Sequence, residues 1–407
     1  MASHDFRYTK TAQKARRRYL AVTDIASKKH DCCILSSDGE ILAPFFTFEN
    51  NAEGFDILLK NIRNHCRDFD DVRVGVESTG HYSNNLISFL QGKGFCLTVF
   101  NPLQVNLFRK AQTLRKTKTD KADARFLAQM LMSSEHPIYA PQSLEISELK
   151  VLVRHRHRLV AMRTKLKISV SRLVAILFPE LHTAVSSIHQ ATSYALLLEL
   201  PTAKAVADCH LTRLTNLLYD NSKHRYGREK AVLIKSIAAK SIGTNSIATG
   251  FELQQTIKLL NNLRTEIDTL DKLVKKVMLT LNSPILTIPG ISFTLGAIIL
   301  AEIGNIDNFA NPNKLLAFAG LEPSTHQSGK FTADNNSMVK RGSSYLRFAL
   351  LQAALLITKY DGEFKSFYHK KRNEGKHHFV ALNHVGKKLC RVIFHLLRNN
   401  LTFSLSA

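Results

Sequence analysis

Asp24, Glu77, Asp120 and Asp123 are the residues whose types and spacing point to chemistry. Asp24 closes the apolar run Tyr19-Leu-Ala-Val-Thr-Asp24, and Glu77 closes Val72-Arg-Val-Gly-Val-Glu77. Asp120 and Asp123 stand three apart where a helical pattern begins, so they share a helix face. Each alone has a plain structural reading: a strand-terminal carboxylate can be a simple cap, and an acid pair suits a helix N-terminus. Together at one edge of an α/β domain, four carboxylates repel one another, and a cation resolves the repulsion. Hard oxygen ligands select Mg²⁺ or Mn²⁺. Two such ions about 4 Å apart clamp a phosphodiester and stabilise both its attacking and its leaving oxygen.

The elements that must position these acids are legible around them. Tyr19–Asp24, Asp31–Ser36 and Glu40–Ala43 read as the first strands of an antiparallel meander, with a turn at Ser37-Asp-Gly39. Helical spacing over 51–67, a strand at 72–76, a helix at 82–90 and a strand at 95–100 follow. After Asn101-Pro102 the pattern predicts a basic loop holding Arg115, Lys116 and Lys118, then a helix from about Thr119 to Met132. This βββαβαβα order predicts an α/β domain with a mixed sheet. Beyond it the texture turns helical. Leu149, Leu152, Val153, Val160, Leu166, Ile168, Leu173 and Ile176 form one predicted apolar stripe, amid Arg154, Arg156, Arg158, Arg163, Lys165, Lys167 and Arg172. A second long helix is predicted over 251–281, so the pair reads as an antiparallel coiled-coil arm or bundle. Ile288-Pro-Gly-Ile291 predicts a helix-hairpin-helix-like turn whose free N–H groups suit a phosphate, and equally a plain helical hairpin. A short helix at 315–320, a polar loop over 322–342 and two or three helices to Asn399 complete the chain.

Composition bounds the partners. Of 407 residues 56 are Lys or Arg and 33 are Asp or Glu, a net charge of +23. Such a balance predicts a polyanion partner, most often nucleic acid, over the basic metabolic enzyme that is the alternative. The first 140 residues are nearly balanced, so the polyanion surface is expected later in the chain. The six cysteines form no C-x-x-C pair and no zinc spacing, and read as reduced thiols of a cytoplasmic protein. His155 and His157, two apart on a helix, face different ways and make no metal pair. No membrane span and no secretory leader are expected.

Four motifs then bring a family into view: Val22-Thr-Asp24-Ile-Ala-Ser-Lys28, Val76-Glu-Ser-Thr-Gly80-His-Tyr82, Asn101-Pro102 and Lys118-Thr-Asp-Lys-Ala-Asp123-Ala-Arg125. With Ile288-Pro-Gly-Ile291, Leu315-Ala-Phe-Ala-Gly320-Leu-Glu-Pro323, Gln327-Ser-Gly-Lys330 and Val339-Lys-Arg-Gly342, the chain resembles the DEDD transposases of insertion sequences from about Tyr19 to Leu397. That family includes pilin-gene DNA invertases and recombinases guided by an element-encoded RNA. One departure is Thr23, where family members usually carry Gly; Thr is a good strand residue, so the strand is expected to survive.

The resemblance implies an RNase H/RuvC-like domain at 19–140 behind a basic tail at 1–18, a helical coiled-coil linker at 141–282 and a mainly helical C-terminal transposase domain at 283–400. It implies Asp24, Glu77, Asp120 and Asp123 as Mg²⁺ or Mn²⁺ ligands and Ser328 as a nucleophile that becomes joined to DNA. Lys330, Lys340 and Arg341 lie close to Ser328 in sequence and are expected on nucleic acid, with Arg115, Lys116, Lys118, Arg154, Arg158 and Lys165. Expected partners are donor and target DNA, a guide RNA, and further copies of the chain as a dimer that assembles to a tetramer. Nothing in the residues separates RNA from DNA as the partner of the basic helices. Two rivals stand beside the recombinase: a metal-dependent nuclease or Holliday-junction resolvase that uses water in place of Ser328, and an inactive nucleic-acid-binding relative that needs none of the acids.

Overall fold

The computed structural model describes residues 18–23, 27–36, 38–66, 69–78, 80–112, 120–133, 136, 138–139, 142–324, 327–328, 331–332 and 337–404. The chain divides into two compact units, Met1–Pro141 and Gln142–Ala407.

The first unit is a five-stranded mixed sheet with helices on both faces. In chain order it holds β1 (Arg18–Thr23), β2 (Lys29–Leu35), β3 (Ile41–Glu49), α1 (Ala52–His65), β4 (Val72–Glu77), α2 (Ser83–Gly92), β5 (Cys96–Phe100), α3 (Pro102–Gln112) and α4 (Asp120–Ser133). Strand order is β3-β2-β1-β4-β5, with β1, β2 and β3 antiparallel and β4 and β5 parallel to β1. The period-2 alternation of strands sorts β2 between two cores. Cys32 and Ile34 join the layer under α1 and α2, with Leu58, Ile62, Leu86 and Leu90. Cys33 and Leu35 join the layer under α3 and α4, with Phe100, Val105, Leu127 and Leu131. The predicted basic loop after Asn101-Pro102 is instead helical as far as Gln112. Pro102 sits where a helix starts, and Asn101 Oδ1 accepts from Leu103 N at 2.9 Å. Proline at the first helical position costs no hydrogen bond, so it opened a helix rather than ending one.

The second unit is helical around one long pair, α5 (Leu144–Leu177) and α11 (Ile247–Leu281). Ion pairs Arg156–Asp271 at 2.6 Å and Arg172–Glu252 at 2.7 Å fix the two as antiparallel, since one residue number rises as the other falls. Five short helices cover one end: α6 (Leu181–Ala184), α7 (Ala191–Glu199), α8 (Ala203–Asp208), α9 (Leu211–Asn221) and α10 (Arg228–Ala239). Their core takes Val170, Leu173, Val174 and Leu177 from α5 and Leu253, Ile257 and Leu260 from α11. At the other end α12 (Phe293–Ile303), α13 (Pro312–Ala319), α14 (Ser344–Tyr360), α15 (Gly362–Asn373) and α16 (His378–Asn399) build a core with Leu149, Val153, Val274 and Met278. Between the two cores the pair is thinly covered. Ile168, placed in the predicted stripe, is 66% exposed, because two helices hide only a narrow seam; Ile176, also in that stripe, is 38% exposed on the outer side of the helix beside the first core. All six cysteines are free thiols, and five are buried. Among the described residues no helix is long and apolar enough to cross a membrane.

The predicted helix before Ile288-Pro-Gly-Ile291 is a 3₁₀ turn over Pro284–Thr287. Gly290 has φ +84°, and a Cβ there would stand 2.9 Å from Leu356 Cβ, so the turn is pressed against α14.

Glu302 ties the C-terminal helices together. Its side chain is 1% exposed; Arg154 donates to both its oxygens at 2.7 and 3.0 Å, and Ser343 Oγ donates at 2.7 Å. Burial pushes the Glu302 carboxyl up, but the Arg154 and Ser343 hydrogen bonds and the Arg154 and Lys150 charges outweigh it and hold the carboxyl below its usual range. A depressed carboxyl contributes stability that is present above its unfolded value, near pH 4.3, and lost as pH falls through the folded one. Arg154→Ala should therefore destabilise by about 3 kcal/mol at neutral pH, since it strands the buried Glu302 carboxylate. Thermal melts checking this should also show unaltered protein losing stability faster than Glu302→Gln as pH drops below about 4.3.

Candidate active site and nucleic-acid interface

β1 and β4 are parallel neighbours, and their register runs from Arg18 opposite Val72 to Val22 opposite Val76. Both strands therefore stop at the same edge of the sheet, β1 at Thr23 and β4 at Glu77. Glu77 is half-buried, and Ser78 N, just past it, donates to Phe100 O at 3.0 Å, which fixes the strand's exit against β5. Asp24 follows Thr23 directly and lies outside the described residues.

Helix α4 approaches the same edge. Beyond its C-terminus, Arg73 Nη2 donates to His136 O, and Tyr139 N donates to Leu97 O at 2.7 Å, so the chain returns to the early halves of β4 and β5. α4 thus runs against β4, and its first turn, Asp120 to Asp123, lies toward the end where β4 stops. Gly75 lets the helix come close. A Cβ there would stand 3.1 Å from Phe100 Cε2 and 3.3 Å from Leu131 Cδ2. The backbone thereby brings Glu77 and the first turn of α4 to one edge; the side chains of Asp120 and Asp123 lie outside the described residues, as do Arg115, Lys116 and Lys118.

Ser328 lies in the second unit, on an element that the sequence predicts as an irregular polar loop. β6 (Gln327–Ser328) pairs antiparallel with β7 (Phe331–Thr332), Ser328 opposite Phe331. Lower down, Pro323 bridges Met338, Ser324 N donates to Ser337 O at 2.8 Å, and Val339 N donates to Glu322 O at 2.9 Å. The result is a β-hairpin whose foot is set in the helical core through Leu321, fully buried, and Met338. Ser328 is five residue steps from Pro323, so the serine reaches at most roughly 17 Å beyond the foot. Two features lock that foot. Arg347 Nη1 donates to Ala319 O at 3.2 Å and to Lys340 O at 3.1 Å. Gly342 has φ +114°, and a Cβ there would fall 2.1 Å from Phe318 O, so only glycine fits. Lys340 itself is in the left-handed region at φ 54°, unusual for a non-glycine residue and a sign of over-determined backbone. Lys340 and Arg341 are exposed; Lys330 lies outside the described residues.

Beside the foot is a cleft lined by Asn313, Leu316, Leu321, Glu322, Lys387 and Arg391. Burial, and then the Arg391 charge, push the Lys387 ammonium below its ordinary range, against the pull of Glu322. Sequence reading passed over this cleft, although Lys387 and Arg391 stand four apart on one helix face.

The basic helix α5 divides by role. Arg154 is committed to Glu302 and lies over the Tyr345 ring at 5.0 Å, and Arg156 is committed to Asp271. Arg158 and Lys165 are exposed.

Two family models match the chain. Residues 22–179 match the IS110 DEDD model, described as Transposase, and residues 282–369 match the Transposase IS116/IS110/IS902 family. Over 395 residues the chain is 26% identical to an insertion element IS116 44.8 kDa protein of Streptomyces clavuligerus, covering 94% of this chain and 95% of the relative. It is 24% identical to the pilin gene-inverting protein of Moraxella bovis, covering 95% of this chain and 98% of the relative. An insertion element IS900 42 kDa protein of Mycobacterium paratuberculosis is 26% identical, over 70% of this chain and 73% of its own length.

The two kinds of cation on α5 separate experimentally. Arg158→Gln with Lys165→Gln should reduce the slope of log affinity for a DNA duplex against log salt by about two units, one for each phosphate that is no longer neutralised. Arg154→Gln should leave that slope nearly unchanged and lower the thermal midpoint instead. An unaltered slope in the double variant would return this stretch of α5 to a solvated face.

Proposed function

Because this chain belongs to the IS110-family DEDD transposases and recombinases, whose activity is on DNA, we propose that it cuts and rejoins DNA at an insertion element through a carboxylate cluster and a serine nucleophile. The observation that carries this reading is the shared edge where β1 and β4 stop side by side and the first turn of α4 arrives. The strand order β3-β2-β1-β4-β5, antiparallel then parallel, supports an RNase H/RuvC-like domain for residues 19–140. Asp24, Glu77, Asp120 and Asp123 are all carboxylates, and a set of hard oxygen donors suits Mg²⁺ or Mn²⁺. Bound there, the metal supplies charge stabilisation for a phosphoryl group in transfer.

Ser328 performs the covalent step. Its Oγ forms a bond to phosphorus as a bridging P–O bond of the strand breaks; the hydroxyl proton passes to a base of the site, and the departing deoxyribose oxygen takes up a proton. The phosphodiester is conserved as a protein–DNA ester, so rejoining needs no ATP. A short hairpin with a locked foot suits this role, because a nucleophile needs both reach and a fixed aim. Lys330, Lys340 and Arg341 supply positive charge for the transition state. Some 200 residues separate Asp123 from Ser328, and we assign the serine to the carboxylate edge of a partner copy. α5 and α11 form the coiled-coil contact of that dimer, and dimers pair into tetramers. The basic surfaces of the second unit hold DNA and a structured guide RNA from the element. The protein works in the cytoplasm, at the nucleoid.

Two measurements test the reading. Asp24→Asn or Asp123→Asn should abolish strand cleavage while DNA binding persists; loss of binding would make the residue structural. Ser328→Ala should remove a denaturation-resistant protein–DNA adduct while metal binding remains. Cleavage at the normal rate in Ser328→Ala would overturn the serine mechanism in favour of a water-using nuclease.

A further inference from the structure

The corner between α15 and α16 carries a run of rings that the cutting and rejoining chemistry does not use. Phe379, in the first turn of α16, is 71% exposed. His377 and His378 flank it, with ring centres 5.7 and 5.1 Å away. The run continues through Tyr368, 5.8 Å from His378, to His369, 5.5 Å further. The corner is held in shape. Tyr368 Oη and His378 Nδ1 share a hydrogen bond of 2.7 Å, Phe379 N donates to His377 Nδ1 at 3.4 Å, and Arg372 Nη1 donates to Lys376 O at 2.7 Å. Gly375, at φ +77°, closes the turn. Cations lie close by in the chain: Lys370, Lys371 and Arg372 fill the last turn of α15, and Lys376 follows. Lys371 is paired with Glu374, while Lys370 and Lys376 stand exposed. A shallow, open depression lined by Ser366, His369, Lys370, Asn373 and Glu374 lies on α15 and its C-terminal end beside this corner.

An exposed phenyl ring is ordinary by itself. An exposed phenyl ring at a braced corner, with Lys370 and Lys376 exposed close by in the chain, matches the two needs of single-strand binding: a face for a base to stack on and positive charge along the backbone. Bases within a duplex already stack on both faces, so such a ring gains little from double-stranded DNA. A protein partner would call for a wider apolar patch, and here only Val380 adjoins Phe379 as an exposed apolar neighbour in α16. We propose that the α15–α16 corner is a stacking platform for an unpaired base of a single-stranded nucleic acid, with Phe379 under the base and Lys370 and Lys376 on the adjoining phosphates. The platform deepens the nucleic-acid part of the proposed function and is independent of its carboxylate and serine chemistry.

The chain contains no tryptophan, so Phe379→Trp places a single reporter at the site. Its emission in the full-length protein should be quenched by a short oligo(dT) or an oligo(U) of equal length, and not by a DNA duplex. Quenching by oligo(U) alone marks RNA as the source of the base, quenching by oligo(dT) alone marks DNA, and quenching by both marks the chemistry they share. Phe379→Leu, which keeps an apolar side chain but no π-face, should weaken single-strand binding roughly ten-fold and leave duplex binding and the thermal midpoint unchanged. Emission unmoved by both oligonucleotides, equal quenching by the duplex, or single-strand affinity undiminished in Phe379→Leu would each overturn the proposal. Asp123→Asn should leave the quenching intact, which separates this site from failure of the cleavage reading.

Discussion

Helix α12 is buried almost all round, and Glu302 is the one carboxylate within it. An ionised carboxylate in an apolar core is tolerated only when fully paired. Arg154 reaches it from the long helix α5, and Ser343 reaches it from the start of α14. Three helices distant in sequence are thereby fixed by one charge. Ser343 is also the N-cap of α14, where its Oγ accepts from Leu346 N at 3.1 Å. It directly follows Lys340, Arg341 and Gly342, the returning foot of the hairpin that bears Ser328. The foot of that hairpin is thus tied to a buried ion pair through a helix cap.

The first unit solves a different problem. Its frame is the sheet edge where β1 and β4 end together. Parallel pairing of β1 with β4 aligns the ends, and the missing side chain at Gly75 lets α4 lie close enough to bring its first turn there. Both depend on packing within a layer of residues that are themselves chemically inert, such as Leu127, Leu131 and Phe100.

Much of this was legible in the chain. Short apolar runs located all five strands of the sheet, though the third runs on to Glu49, well past the expected Ala43, and the acids stood out because each closed an apolar run or opened a helix. What escaped had physical causes. Pro102 read as a breaker, yet at the first helical position it starts a helix. The hairpin at 327–332 has strands of two residues each, too short for alternation to show. Glu302 lay in an apolar run where a lone acid carries no periodic signal, and Arg347 acts through backbone carbonyls that no side-chain motif reveals. Arg154 looked like its basic neighbours on α5; only the partner, 148 residues away, distinguishes it.

The brevity of the Ser328 hairpin leaves its register to be set from outside it. Its ladder rests on two pairs, Gln327 opposite Thr332 and Ser328 opposite Phe331. Side chains alternate across a strand, so a slip of one residue in any ladder turns its whole side-chain set to the other face. Two pairs resist such a slip weakly. The resistance comes from below, where the Pro323–Met338 bridge and the clamp of Arg347 set the phase of both strands. An arm built in this way takes its phase from its foot rather than from its own ladder.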